Sequence, residues 1–289
     1  MVDRDPMYPP GYGNLVATYN QFGQQEKSRA LIERIRPLLH GNPNLLLAEA
    51  RTWQSIGRPS RSIPLLEEML ASQPNDGVAR NLYGWALIET GQYDKALEKG
   101  HPWHRGIALT LMQRPEEALA IAREEAATGN ISMMIGQLAG QGKYQQLVEF
   151  LESRWPDLAS FEQDYPDEGD GYGLMLSIAL AYSRVGNDER FTDAMKRIRK
   201  AHDRTLQQGV VDVAFDEARY WALAGDSDRT MEFLGKAEQQ GMVFTVRMDS
   251  VFHEFENLRG DERYEALQAR VFEYTNSERA ALGLGPIET

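Results

Sequence analysis

Five histidines and 43 carboxylates are the side chains of this 289-residue chain that could carry chemistry, and it has no cysteine. Of His40, His101, His104, His202 and His253, only His101-Pro102-Trp103-His104 brings two together. An i, i+3 pair can hold a metal from one helix face, but a proline interrupts this spacing and no Glu-x-x-His accompanies it. The pair reads as structural, and no metal site is expected. Asp164-Tyr165-Pro166-Asp167-Glu168-Gly169-Asp170-Gly171 offers oxygens that suit calcium but lacks the D-x-D-x-D-G spacing of an EF-hand loop. Any two carboxylates could meet as a glycosidase-type pair. Nothing in their spacing selects two, and solvated helix faces account for them better. No G-x-x-x-x-G-K-[ST] phosphate loop, G-x-S-x-G elbow or G-x-G-x-x-G fingerprint occurs. Without cysteine, thiolate catalysis, disulfides and cysteine metal sites drop out together. The expectation is a chain that is not an enzyme and needs no cofactor.

Binding remains, and composition narrows it. With Lys+Arg at 31 and Asp+Glu at 43 the formal charge is −12, the wrong sign for a protein whose main partner is nucleic acid. Ala and Leu number 59 against 35 for Val, Ile and Thr, which favours helix over sheet. No apolar stretch approaches the roughly 18 residues that span a bilayer, so membrane insertion is not expected. Met1 to Gly13 is acidic, proline-rich and aromatic, unlike a signal peptide. A cytoplasmic location is expected, or a periplasmic one if a membrane segment precedes this region in a longer protein.

The elements that would present a binding surface repeat along the chain. Gly23, Gly57 and Gly91 lie 34 residues apart, each between two helical stretches. Setting each glycine at position 15 starts the units at Pro9, Pro43 and Gly77. In the third unit a small residue (Gly84) stands at position 8, the turn glycine is followed two residues on by Tyr93, and Ala96 stands at position 20. This resembles the tetratricopeptide (TPR) pattern, in which small residues let two antiparallel helices approach and the glycine ends the first. The second unit keeps Ala50, Gly57 and a terminal Pro74 with Ser62 for alanine, and the first has Leu15, Val16, Tyr19, Gly23, Ile32 and Ile35 with Ser28 in the alanine place. Beyond Gly91 the spacing becomes irregular: the helix after Tyr93 stops before Pro102, and further turns fall at Gln113-Arg114-Pro115, Gly142, Gly186 and Gly225. Gly136, Ala139 and Gly140 mark a short or tightly packed helix. Trp155 to Gly171 reads as a loop, with a hinge at its acidic end. The resemblance implies an all-α, right-handed α–α superhelix: a solenoid of about six irregular helix pairs with a C-terminal helical cap. Its expected divisions are residues 1–160, a hinge at 161–171, helix pairs over 172–245 and the cap at 246–289.

Asp249-Ser250-Val251-Phe252, Phe255, Leu258-Arg259, Asp261, Arg263-Tyr264 and Leu267 resemble the closing segment of bacterial TPR proteins. Val251, Phe255, Leu258 and Leu267 would cover the last open apolar face, with Arg259 or Arg263 paired to local carboxylates. In such proteins an array often follows a cyclase, kinase or winged-helix regulator. The resemblance therefore implies a regulatory region of a larger bacterial signalling protein.

The first helix of each pair would line the concave groove, at positions 2, 5, 9, 12 and 13. Those positions select Asn20 and Gln21; Asn44, Leu47, Arg51 and Gln54; Asn81, Trp85, Ile88 and Glu89; and, later, Phe215 and Arg219. Asn and Gln can bond an extended peptide backbone, and Arg can grip a carboxylate. Each has a plainer reading: Trp85 as inter-repeat core, Arg51 paired with Glu49 or Glu89. Gly13 and Ala17 stand where a carboxylate clamp of this family would place Lys and Asn, so that specificity is not expected. The principal expectation is a protein or peptide partner. Two alternatives stand beside it: a small-molecule sensor using Trp53, Trp85, Trp103 and Trp221, and self-association as a homodimer through an exposed helix face.

Overall fold

Turn chemistry dictates a chain of helix pairs, and a computed structural model of the protein has that architecture over residues 9–37, 41–165, 171–208, 213–242 and 251–287, which are the residues described. The turn glycines Gly23, Gly57, Gly91, Gly142, Gly186 and Gly225 all have φ between 64° and 78°. At Gly57 the N–H donates to the Gln54 carbonyl at 2.8 Å and the Arg58 N–H to the Trp53 carbonyl at 2.7 Å, closing the last turn as a Schellman motif. Gln113 takes the same left-handed conformation without being glycine, at φ 59°.

The pairs are α1 (Pro9–Gln21) with α2 (Gln25–Ile35), α3 (Pro43–Ser55) with α4 (Pro59–Ser72), and α5 (Gly77–Glu89) with α6 (Tyr93–Lys99). Then come α7 (Pro102–Leu111) with α8 (Pro115–Ala127) and α9 (Ser132–Gly140) with α10 (Tyr144–Glu152). After a short α11 (Leu158–Asp164) follow α12 (Gly171–Val185) with α13 (Asp188–Gln207) and α14 (Ala214–Leu223) with α15 (Ser227–Gln239). A 3-10 helix (His253–Leu258) and α16 (Glu262–Ala281) close the chain. Seven pairs stand among the described residues where the sequence predicts about six. The predicted loop from Trp155 to Gly171 contains α11, because the Asp157 carboxylate caps its start by accepting from the Ser160 N–H at 2.7 Å. Residues 166–170 of the expected hinge, residues 243–250 and His40 lie outside the described residues.

The first helices of the pairs form one row: α1 packs on α3, α3 on α5, α5 on α7, α7 on α9, α9 on α12 and α12 on α14. Each second helix from α2 to α8 packs on the next pair, α10 packs on α12 and α13 on α14. The small residues at the crossings are buried: Ala50, Ala96 and Ala118 have no solvent exposure. Ser28 and Ser62 in the alanine places are equally buried and satisfied, Ser28 Oγ against Thr52 Oγ1 at 3.0 Å and Ser62 Oγ donating to the Pro59 carbonyl. Gly84 lies against His104, where a Cβ would come within 2.4 Å of Nδ1.

Candidate functional site

The row of first helices faces a segment of the same chain. Val251 enters beside Gly140 of α9, where an added Cβ would lie 3.3 Å from Val251 Cγ1. His253 Nδ1 and the Tyr144 hydroxyl are hydrogen-bonded at 2.7 Å. Arg184 of α12 donates to Glu256 Oε2 at 2.7 Å and to the His253 carbonyl at 3.2 Å. Arg219 of α14 directs Nε and Nη2 at Glu254 Oε1, at 3.0 and 2.6 Å, and Nη2 also reaches Ser177 Oγ at 3.1 Å. Its guanidinium lies 4.6 Å from the Phe252 ring centre. Phe215 meets Phe252 and Phe255 edge-on, at 5.1 and 5.7 Å between centroids. Asn257 donates to the Ala222 carbonyl. Both Arg219 and Glu254 are buried, so the pair is desolvated and held by direct hydrogen bonds.

Two of the sequence-predicted groove residues, Phe215 and Arg219, thus come together around residues 252–255. Asn20 Nδ2 points to Thr52 Oγ1 at 3.4 Å, and Gln54 Nε2 donates to the Leu82 carbonyl at 2.7 Å, so both join neighbouring pairs. Trp85 stands edge-on to His104 at 5.1 Å, in keeping with its inter-repeat reading. Glu89 is half-buried with Oε2 sealed from solvent; burial, reinforced by the Glu278 charge, pushes its carboxyl up to about 8. Asn44 and Asn81 are exposed and Arg51 is half-buried. Glu49, one of the two partners expected for Arg51, takes Arg36 at 2.5 Å instead, because Arg51 is only two residues from Glu49 along the helix and points away from it.

His104 has no solvent exposure, and burial followed by the nearby His101 holds it down at about 4. The two rings are 6.3 Å apart, and His104 fills the notch left by Gly84. The tryptophans of the sensor alternative are engaged separately: Trp53 under Arg61, Trp85 on His104, Trp103 against Gly136, and Trp221 donating to Glu217. An open cleft of about 890 Å³, lined by residues including Phe22, Ile56, Arg58, Arg270 and Tyr274, contains none of them.

Two clusters were outside the sequence expectation. Between α13 and α14, Glu217 is buried among Arg199, His202 and Trp221, with His202 Nδ1 at 2.7 Å. Burial alone would raise this carboxyl, but the hydrogen bonds of His202 and Arg199 outweigh it and hold it at about 2. The cluster fastens α13 to α14. The second lies where α16 returns to the beginning of the array. Glu278 accepts from Arg58 Nη1 at 2.9 Å and from the Ser60 N–H and hydroxyl at 3.1 and 2.5 Å. It thereby caps α4, whose own N-cap residue makes no side-chain cap. Tyr274 donates to the Gly57 carbonyl, Arg279 to the Thr90 carbonyl at 2.5 Å, and Gly241 backs onto Gly57. The second and third pairs are therefore tied to α16 and to Gly241, just beyond α15.

The expected closing role of the terminal segment is present in part. Phe255, Leu258 and Leu267 are buried with Phe215 and Ala218, and Arg263 pairs with Asp261 and Asp228. Val251 does not join that cluster; it packs beside Gly140, because residues 251–258 run across the row instead of ending on its last face.

Residues 57–98 match the family model for the tetratricopeptide repeat, a stretch that holds α4, α5 and all but the last residue of α6. A comparison with curated proteins finds no match.

Proposed function

We propose that the chain is a non-enzymatic scaffold that binds a protein or peptide along its row of first helices, as the regulatory part of a larger bacterial signalling protein. The observation that carries this reading is the row itself: side chains from α12 and α14 converge on one short segment that passes Gly140 of α9, as they would on a bound peptide. The tetratricopeptide match supports it, since repeats of this kind generally mediate protein association. Toward the first pairs, Asn44 and Asn81 are exposed on α3 and α5, with Arg51 half-buried between them in sequence. Amide and guanidinium groups there suit an extended backbone and a carboxylate. The charge of −12 argues against nucleic acid as the partner. No helix among the described residues is long and apolar enough to cross a membrane, and the binding reading needs none.

The test is affinity capture from cells of the source organism with the wild-type chain and with Arg51→Glu and Asn81→Ala variants. A specific protein captured by wild type and lost from the variants is expected. Its retention by both variants would remove these residues from the site.

A further inference from the structure

A segment that only closes a solenoid needs apolar side chains over an apolar face. Residues 252–256, Phe-His-Glu-Phe-Glu, supply that through Phe255, which is buried in the apolar cluster with Phe215, but they also carry polar groups that closure does not need. Glu254 is 5 % exposed and meets two N–H groups of Arg219; Glu256 meets Arg184; Phe252 lies under the Arg219 guanidinium and edge-on to Phe215. The groups that receive them come from different helices, α12 and α14, with Tyr144 at the start of α10 and Gly140 making room beside Val251. The groups received come from consecutive residues of one short segment. Phe252, Glu254 and Phe255 meet α14, while His253 and Glu256 meet α10 and α12 of the two preceding pairs, so one short segment is gripped by side chains of three pairs, as a groove grips a peptide. A buried Arg–Glu pair brings little stability relative to an apolar pair of the same volume, and its best-attested use is selection.

We propose that the groove over α9, α12 and α14 is a binding site for peptides of the pattern Phe-x-Glu-Phe-Glu, and that residues 252–256 are its intramolecular occupant, which a partner of the same chemistry displaces. This rests on the peptide-binding reading above and adds the ligand chemistry and the competition. A tethered ligand acts at an effective concentration of about 1 mM, so a peptide of roughly 10 μM intrinsic affinity would be weakened about 100-fold by the occupant.

The experiment uses the full chain and a fluorescein-labelled synthetic peptide of residues 251–258, with binding followed by polarisation. A Phe252→Ala/Glu254→Ala variant weakens the occupant and is expected to bind the peptide about 10- to 100-fold more tightly than wild type. Adding Arg184→Ala, at a side chain 41 % exposed and so tolerant of change, is expected to lose most of that gain. A scrambled peptide of the same composition should not bind. Equal binding by wild type and the double variant overturns the proposal. So does loss of the helical dichroism in both Phe252→Ala/Glu254→Ala and the shape-preserving Glu254→Gln, because the segment would then be core. Partner capture that depends on Arg51 and Asn81 while the peptide fails would leave the scaffold function standing and remove only this assignment.

Discussion

Replacing Glu278 with alanine removes the contact by which α16 holds the second pair, and its cost follows from the bonds it makes. The side chain is buried, at 3 % exposure, and its two oxygens take the Ser60 N–H, the Ser60 hydroxyl and Arg58. Loss of a helix N-cap costs about 0.5–2 kcal/mol. A hydrogen bond to a charged group is worth about 1.5–3 kcal/mol. Arg58 is half exposed and regains water, so its share is discounted to below about 1 kcal/mol. Removing the charge also relieves Glu89, which Glu278 pushes upward. The net expected loss is about 2–3 kcal/mol, or about 4–12 °C in melting temperature at roughly 2–4 °C per kcal/mol. Circular dichroism at 222 nm and pH 7 measures it. Glu273→Ala serves as the control, an exposed carboxylate on the same helix expected to change stability by less than about 0.5 kcal/mol. If Glu278→Ala melts with the control, α16 does not cap α4 and the closure of the array is refuted.

Gly84→Ala would gain about 1 kcal/mol in an open helix, but its Cβ would fall 2.4 Å from Nδ1 of the unexposed His104. A loss of about 1–3 kcal/mol is expected instead, and a raised urea midpoint would contradict the packing. Gly57→Ala and Gly225→Ala both force a side chain to φ of 70° or more, costing about 1–2 kcal/mol each. Only Gly57 also approaches another backbone, with the Gly241 carbonyl oxygen 2.7 Å from its added Cβ, so its variant should be the less stable in a paired thermal melt. Glu89, raised to about 8 by burial and then by Glu278, binds its proton more tightly folded than unfolded. Its contribution to stability is therefore complete below about pH 4.5 and declines as pH rises through 8. Between pH 6 and 9 it accounts for up to about 2.5 kcal/mol, at roughly 1.4 kcal/mol per pH unit. Denaturant titrations of wild type should show this decline and Glu89→Gln should flatten it; an unchanged slope would place Glu89 in water.

The helix pairs were legible because their determinants are local. A glycine that must take positive φ, as at Gly57 and Gly91, and a small residue at a crossing, as at Gly84 and Ala96, act within one unit, so a spacing of 34 residues exposes them. Gln113 did the same work at an irregular turn and was found through the following Pro115. Phe215 and Arg219 were reachable from their positions on the helix, but their occupant was not. Where residues 252–256 fall depends on the rotation accumulated over seven pairs, which no local pattern encodes. The same sum brings Glu278 to Ser60, 218 residues away. For Asn20 and Gln54 the sequence is ambiguous for a related reason: amides on a first helix can serve a ligand or the neighbouring repeat. Thr52 and the Leu82 carbonyl, the groups that take them, lie in adjoining units.

Residues 252–256 are held on the row of first helices by the Arg219–Glu254 contact. A double-mutant cycle with Arg219→Met, Glu254→Gln and the combined variant, read as unfolding free energies at pH 7, measures that contact directly. Two buried groups at 2.6 Å predict a coupling of at least about 1.5 kcal/mol. Additivity within about 0.5 kcal/mol would mean that Arg219 and Glu254 do not meet in solution and that the groove stands open.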